Sequence, residues 1–485
     1  MTRITDLKPT QLWKHFDAIR QIPRCSKNEE AAGEYVKEFA KTRGYQFRQD
    51  DAGNVVVKIP ASPGHENKPG IVLQGHLDMV TEKNKGTEHD FESDPIKLIN
   101  EGDWITADGT TLGADNGIGV AAGMTAATDD SVIHGPLEIL CTIDEETGMT
   151  GVNALQPGFI EGKILLNMDS EEDGSFYVGC SGGVDTVGIF NVPTKKAKKD
   201  LAAYDLLIGG LKGGHSGLDI QAGRANAIKL LGQLLNKMKD LKFRVASISG
   251  GSKRNAIPRE AEARILVNAS DEKKIKKIID KFIADYLHEF SKNDGGLEIS
   301  LKKSSTKIET VFSKKFSTRL IRVLLSVPHG ILAMSPDIED LVETSTNLAT
   351  IDTEDDQIKI GTSQRSSVES AKVNASNMVK AVFELGGADE VITGDGYPGW
   401  QPDMNSELLK TSKNVYREIF GKDAEVKAIH AGLECGILGN KYDNLDMISF
   451  GPTITGAHSP DEKVNIKAVG NFYELLKGIL KEAAK

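Results

Sequence analysis

The stretch "GIVLQGHLDMV", residues 70–80, decides how the chain is read. A short apolar run, Ile71 to Leu73, leads to Gly75 and then to His76 and Asp78. Such a run reads as a strand covered on both faces, the kind found in parallel sheets. An imidazole and a carboxylate then stand where the strand should turn to solvent. In an extended segment, residues i and i+2 point to the same side. Asp78 can therefore accept the second ring N–H of His76, the arrangement that orients a metal-bound histidine.

The same pattern recurs outward from this strand. "NVVVKIP" (54–60), "HGPLEILCTIDEETG" (134–148) and "GKILLNMDSEE" (162–172) read as strands, the last two ending in acids. "GADNGIGVAAGMTAATDD" (113–130) reads as a helix entered through a glycine-rich turn. Helices are expected at 11–20 and 29–43, the second opening on a capping-type Ser26 and closing on Gly44. Strands alternating with helices imply an α/β sheet, mixed but mostly parallel, with helices on both faces.

After "CSGGVDT" (180–186) the texture becomes Lys-rich. Long amphipathic helices are expected at 221–240, 271–290 and 366–386, between strands such as "AEARILVNA" (261–269), "LVETSTNLATID" (341–352) and "QIKIGTSQR" (357–365). This α+β segment can be read as two halves, which leaves room for an internal duplication. From "TGDGYPGW" (393–400) the first texture returns, with a buried strand in "NLDMISFGP" and a terminal helix from Val464. The expected organisation is a catalytic domain in two pieces, 1–186 and 395–485, with an inserted α+β domain at 187–394.

Composition narrows the function. The 485 residues carry a net charge of −11, which argues against a nucleic-acid partner, and no apolar run is long enough to span a membrane. The opening "MTRITDLKPTQLWKHF" has no leader-like apolar segment. Cys25, Cys141, Cys180 and Cys435 form no CxxC pair. A reducing cytoplasm is therefore the expected location.

The acids at the strand ends carry the chemistry. His76, Asp115, Glu145, Glu146, Asp169 and His458 all fall where strands of such a sheet would end or next to them. Ligands collect at the carboxyl ends of strands in open α/β sheets. Crowded carboxylates repel unless a cation sits among them. Two histidines and several acids make a donor set for divalent metals, zinc first, with manganese or cobalt as alternatives. His76, Asp115 and Asp169 can hold one ion, and His458, Glu146 and a shared Asp115 the other. Adjacent residues diverge, so Glu145 can stay free of metal beside Glu146 and serve as general base and later proton donor.

"GHLDMV", "ADGTTLGADNGIGVAAG", "DEETGMTG" and "NMDSEEDG" resemble the co-catalytic metallopeptidases of the M20 group. The nearest likeness is to the aminoacyl-histidine dipeptidases, also called cytosolic non-specific dipeptidases or bacterial carnosinases. "KGGHSGLDI", "KRNAIP", "VETSTNLA", "HAGLECG" and "GAHSPDE" extend the likeness across nearly the whole chain. The resemblance implies the ligand set His76, Asp115, Glu146, Asp169 and His458, with Asp115 bridging, Asp78 orienting and Glu145 as base. It also implies a cis peptide at Asp115–Asn116 and a lid made by the inserted domain. In that lid His215 would steady the oxyanion, while Asn255 and Arg365 would contact substrate, Arg365 at its carboxylate. The implied enzyme is a dinuclear zinc metallopeptidase, working as a homodimer on small peptide substrates. It would cleave unblocked dipeptides, Xaa-His and carnosine-like ones included, with a hydroxide held between the ions. Two alternatives stay open: an N-acyl-amino-acid amidohydrolase of the same fold, and a non-catalytic binding homologue.

Overall fold

The computed structural model describes residues 3–485. They divide into two compact units. The first comprises the chain up to Gly179 together with Pro402–Ala428 and Leu433–Lys485; the second comprises Cys180–Gln401 and Ile429–Gly432. The sequence reading placed the boundaries at 186/187 and 394/395. The long strand Gly182–Asn191 runs through the first of those points, and its pairing keeps the whole strand with the second unit.

The first unit is built on an eight-stranded sheet. Its order is Gln46–Gln49, Val55–Ile59, Leu137–Thr142, Ile71–His76, Ile164–Asn167, Asp446–Ser449, Ser175–Cys180, Glu425–Ile429. The four strands in the middle are parallel, and antiparallel strands flank them. Ile71–His76 and Leu137–Thr142 are buried at every position, as expected for strands covered on both faces.

Helix Ala114–Ala126 packs on that centre, and its Ile118, Val120 and Met124 are buried. Each such side chain contributes about 1.5–3 kcal/mol. The approach is close enough to need glycine on both sides. A Cβ at Gly75 would lie 2.2 Å from Asn116 Oδ1, and one at Gly119 would lie 2.6 Å from the Met168 carbonyl oxygen. The expected helix at 29–43 runs Glu30–Arg43 and does close on Gly44, in the left-handed region. Ser26 does not cap it. The residue before the first turn is Glu29, and Ser26 instead donates to Asp78 Oδ2 at 2.7 Å.

The second unit carries a nine-stranded sheet. Eight of its strands form one path: Glu298–Lys303, Ala202–Gly209, Ala261–Val267, Arg244–Gly250, Val342–Glu354, Gln357–Ser366, Gly182–Asn191 and Glu390–Thr393. The order bears out the internal duplication. In chain order, Ala202–Gly209, helix Ala227–Lys237, two strands, helix Glu272–Asp294 and Glu298–Lys303 form one βαββαβ repeat. Gly182–Asn191, helix Lys314–Ser326, two strands of the path, helix Glu369–Leu385 and Glu390–Thr393 form another, with the side strand Gly330–Met334 standing outside the pattern. Each repeat lays its strands in the order fourth, first, third, second. The two second strands meet where Gly250 pairs with Ile351. The expected helix at 221–240 is shorter at both ends. Gly223, at φ +62°, ends a 3-10 turn, and Asn226 accepts from the amides of Ile228 and Lys229 to start the helix proper.

Candidate metal centre

The strand ends deliver the side chains to one edge. His76 is the last residue of its strand and pairs with Thr142 on the neighbouring parallel strand, so Glu145 and Glu146 follow just beyond it. On the other side Gln74 pairs with Asn167, which places Asp169 at the same edge. Asp115 comes from the start of the helix that packs on these strands, and its peptide bond to Asn116 is cis, as the resemblance implied.

His76 Nε2 lies 3.0 Å from Asp115 Oδ1 and 3.2 Å from Asp169 Oδ1. His458 Nε2 lies 3.1 Å from Asp115 Oδ2 and 3.1 Å from Glu146 Oε2. Each oxygen of Asp115 thus faces a different histidine, the disposition of a bridging carboxylate. Ligand atoms about 2.0 Å from a tetrahedral ion sit roughly 3.3 Å apart, close to these separations. Four groups meet the geometric requirement, His76–Glu145–Glu146 and Glu29–Asp78–Asp144 among them; the two that share Asp115 are His76–Asp115–Asp169 and Asp115–Glu146–His458. The buried Oε1 of Glu146 has no hydrogen-bond partner among the described residues. These donors fit a pair of divalent ions.

The electrostatics agree. Burial pushes the Asp169 carboxyl well up, with Asp115 adding to it against the pull of His76. Glu145 is raised by burial and by Asp169, Glu146 and Glu434. Asp115 goes the other way: hydrogen bonds from His458 and His76 outweigh its burial and hold it well below the carboxylate range. Hydrogen bonds to Asp115 and Glu146 raise His458 to about 11. The edge holds more negative charge than its two imidazoles balance.

Asp78 stands behind His76, its Oδ1 at 3.3 Å from Nδ1, near enough to orient the ring though not aligned for a full hydrogen bond. It also accepts the backbone amides of Glu145 at 3.0 Å and Glu146 at 3.1 Å. One buried carboxylate therefore contacts a candidate ligand and holds the backbone of the candidate base and of its neighbour.

Three supporting groups escaped the sequence reading. Arg24 is fully buried and donates to the carbonyls of Leu77, Asp78 and Gly113. Glu462 accepts amides from the turn before Asp115. Glu434 accepts from Gln74 Nε2 at 2.6 Å and Thr142 Oγ1 at 2.7 Å, and burial raises it to about 7. Arg24 and Glu434 stand beside short apolar or glycine-containing stretches, and Glu462 stands between Asp461 and Lys463, so none is marked out in the sequence.

The other three expected residues lie together in the second unit. His215 Nδ1 accepts the amides of Gly217 and Leu218, which leaves the proton on Nε2 as an outward donor. Burial and Arg365 lower its pKa to about 4, so the ring is neutral. Asn255 is exposed; its carbonyl takes the amide of Ser216, beside the pairing of His215 with Ala256. Arg365 is buried, bonding Ser216 Oγ and Tyr397 Oη at 2.9 Å, with no carboxylate at ion-pair distance among the described residues.

Comparison with known proteins adds three findings. Residues 208–294 match the family described as the peptidase dimerisation domain of M20 proteins. The chain is 40% identical over 483 residues to the cytosol non-specific dipeptidase of Escherichia coli (strain K12), covering 99% of both chains. The crystal structure of the aminoacylhistidine dipeptidase from Vibrio alginolyticus superposes with a TM-score of 0.91 at 42% identity, over 99% of this chain and 98% of that one. Ligand spacing, fold and full-length identity agree, and the chain belongs to the M20 metallopeptidases, in the group of the cytosol non-specific and aminoacylhistidine dipeptidases.

Proposed function

We propose that the chain hydrolyses the peptide bond of unblocked dipeptides, Xaa-His and carnosine-like ones included, with two divalent ions, zinc first. The observation that carries this reading is Asp115, with one oxygen facing His76 and the other facing His458, and Glu145 within 4.8 Å of His76 on the same edge. Bound ions there would polarise the scissile carbonyl and make water a nucleophile at neutral pH. Glu145 takes the proton from that water and returns it to the leaving amine; its raised affinity for a proton suits both steps. Asp78 keeps Glu145 in place through the backbone. His215 offers a neutral N–H to the oxyanion. Arg365, buried without a carboxylate partner, takes the substrate carboxylate, and Asn255 contacts the same substrate.

The match to a peptidase dimerisation domain supports a homodimer. The name of the Escherichia coli relative supports a cytoplasmic location, and no helix among the described residues is long and apolar enough to cross a membrane.

The test is hydrolysis of carnosine, Ala-Ala, Gly-Gly-Gly and N-acetyl-Ala before chelation, after it, and after restoring Zn²⁺ or Mn²⁺. Metal-restored cleavage of the two dipeptides alone is expected. Glu145→Ala should keep both metals and lose about 10²–10⁴-fold in kcat. Turnover of N-acetyl-Ala in place of the dipeptides would move the chain to the N-acyl-amino-acid amidohydrolases. Bound metal with no turnover of any of the four would leave a binding homologue.

A further inference from the structure

We propose that Glu462 is a positioning residue for one half of the metal centre: it fixes the spacing between Asp115 and His458, and so decides whether the ion on the His458 side is retained. The inference rests on the two-metal reading above.

Glu462 is buried, and its carboxylate accepts four consecutive backbone amides. Oε2 takes Leu112 at 2.7 Å and Gly113 at 3.0 Å; Oε1 takes Ala114 at 2.8 Å and, more loosely, Asp115 at 3.4 Å. The whole turn that presents the bridging aspartate is thus wrapped on one side chain. From the opposite side Arg24 holds the same turn through the Gly113 carbonyl.

The other end of Glu462 is tied to His458. Ser459 donates to the Gly456 carbonyl through both its amide and its hydroxyl. It then accepts the Asp461 amide on that hydroxyl and the Glu462 amide on its carbonyl. This turn links Glu462 to His458, which sits at φ +61°. The Glu462 carbonyl is fastened in turn by Thr106 Oγ1 at 2.7 Å, and the residues after it pair with strand Trp104–Ala107. The His458 side chain is about half exposed, and its polar partners among the described residues are Asp115 and Glu146. No paired strand of the main sheet ends at it.

His76 and Asp169 differ in this respect. They stand at the ends of adjacent paired strands, whose register holds them without Glu462. A change at Glu462 should therefore reach the two ion positions unequally. In Glu462→Gln one carboxylate oxygen becomes an NH₂ that faces backbone N–H groups. The turn must shift, and Asp115 moves relative to His458.

The experiment is calorimetric titration of the metal-free protein with Zn²⁺, with stoichiometry checked by elemental analysis. The wild type is expected to take two ions. E462Q is expected to keep one near wild-type affinity and to bind the second about 10–100-fold more weakly. With one equivalent of Co²⁺, the absorption spectrum of E462Q should match that of H458A and differ from that of H76A. E138Q is the control. Glu138 is buried too and accepts the amides of Glu161 and Gly162, at the opposite end of its strand from the metal edge. It should hold both ions whatever happens to its Tm. If E462Q does not fold, E462D, which retracts the charge by one methylene, carries the same expectation. Retention of both ions by the Glu462 variant, or a parallel loss of both, overturns the proposal. A wild type that takes no ion at all overturns the two-metal reading instead.

Discussion

Asp78 makes four contacts with two oxygens: the His76 ring, the Ser26 hydroxyl and the amides of Glu145 and Glu146. Removing it should be felt twice. Asp78→Ala is expected to weaken metal binding about 10–100-fold, the usual cost of deleting a carboxylate behind a ligating histidine. It should also lower kcat at saturating metal, because the segment carrying Glu145 loses its anchor. Zn²⁺ titration and kinetics at excess metal separate the two effects. An Asp78→Ala protein with wild-type metal affinity would show that the ring needs no such partner. Asp78 could be assigned from sequence because its partner His76 lies two residues away in an extended strand. Ser26 could not. A serine before a run of acids and alanines has the local look of a helix cap, and only its distant contact with Asp78 shows otherwise. Arg24 and Glu462 share that problem. The amides that Glu462 accepts lie 347 to 350 residues away, and nothing in a single sequence records such a pairing.

At the scale of elements, the central strands were legible because they are buried on both faces and read as mostly apolar runs, interrupted by Gln74 in one and Glu138 in the other. Helices Lys314–Ser326 and Glu407–Phe420 went unread, although each begins with a capping serine, Ser313 and Ser406. Their buried positions, Phe316, Leu320, Ile321 and Leu324 in one and Leu408, Leu409, Val415 and Tyr416 in the other, keep the helical spacing, so both the cap and the period stand in the sequence. The contact between helix Ala114–Ala126 and strand Ile71–His76 is a tight junction near the site. Gly75→Ala would force a methyl to within 2.2 Å of Asn116 Oδ1. A loss of about 1–3 kcal/mol is expected in urea unfolding, as for other overpacked cores. Asn116 Nδ2 also donates to the Met168 carbonyl, next to Asp169, so metal affinity should fall with it. Wild-type stability in the Gly75→Ala protein would mean the helix can lift off without cost.

At the scale of the whole molecule, the second unit carries a sensitivity to acid. Burial lowers His215 and His329 to about 4 and His430 to about 3, with nearby cations adding to the effect. Their folded-state values lie below the unfolded value of about 6.5. As pH falls, the unfolded chain takes up protons first. Stability is therefore complete above about 6.5 and declines as pH falls toward 4. Urea midpoints between pH 7 and 4.5 should fall, and His329→Gln should reduce the decline. An unchanged slope in that variant would remove His329 from the account. The duplication in this unit was only half legible. The alternation of helices and strands suggested two halves, but one repeat is inserted between the first strand and first helix of the other, and only the sheet order pairs them.

The first unit is assembled from both ends of the chain, and its proposed ligands follow that division. His76, Asp115, Glu146 and Asp169 precede the second unit, whereas His458 comes from the last segment. During synthesis the amino-terminal strands emerge and can pair long before residue 458 is made. A growing chain, or one cut short within the second unit, carries four of the five ligands and no complete pair of triads. On the proposed ligand set the centre is complete only at the end of translation, and a truncated product is expected to be inactive.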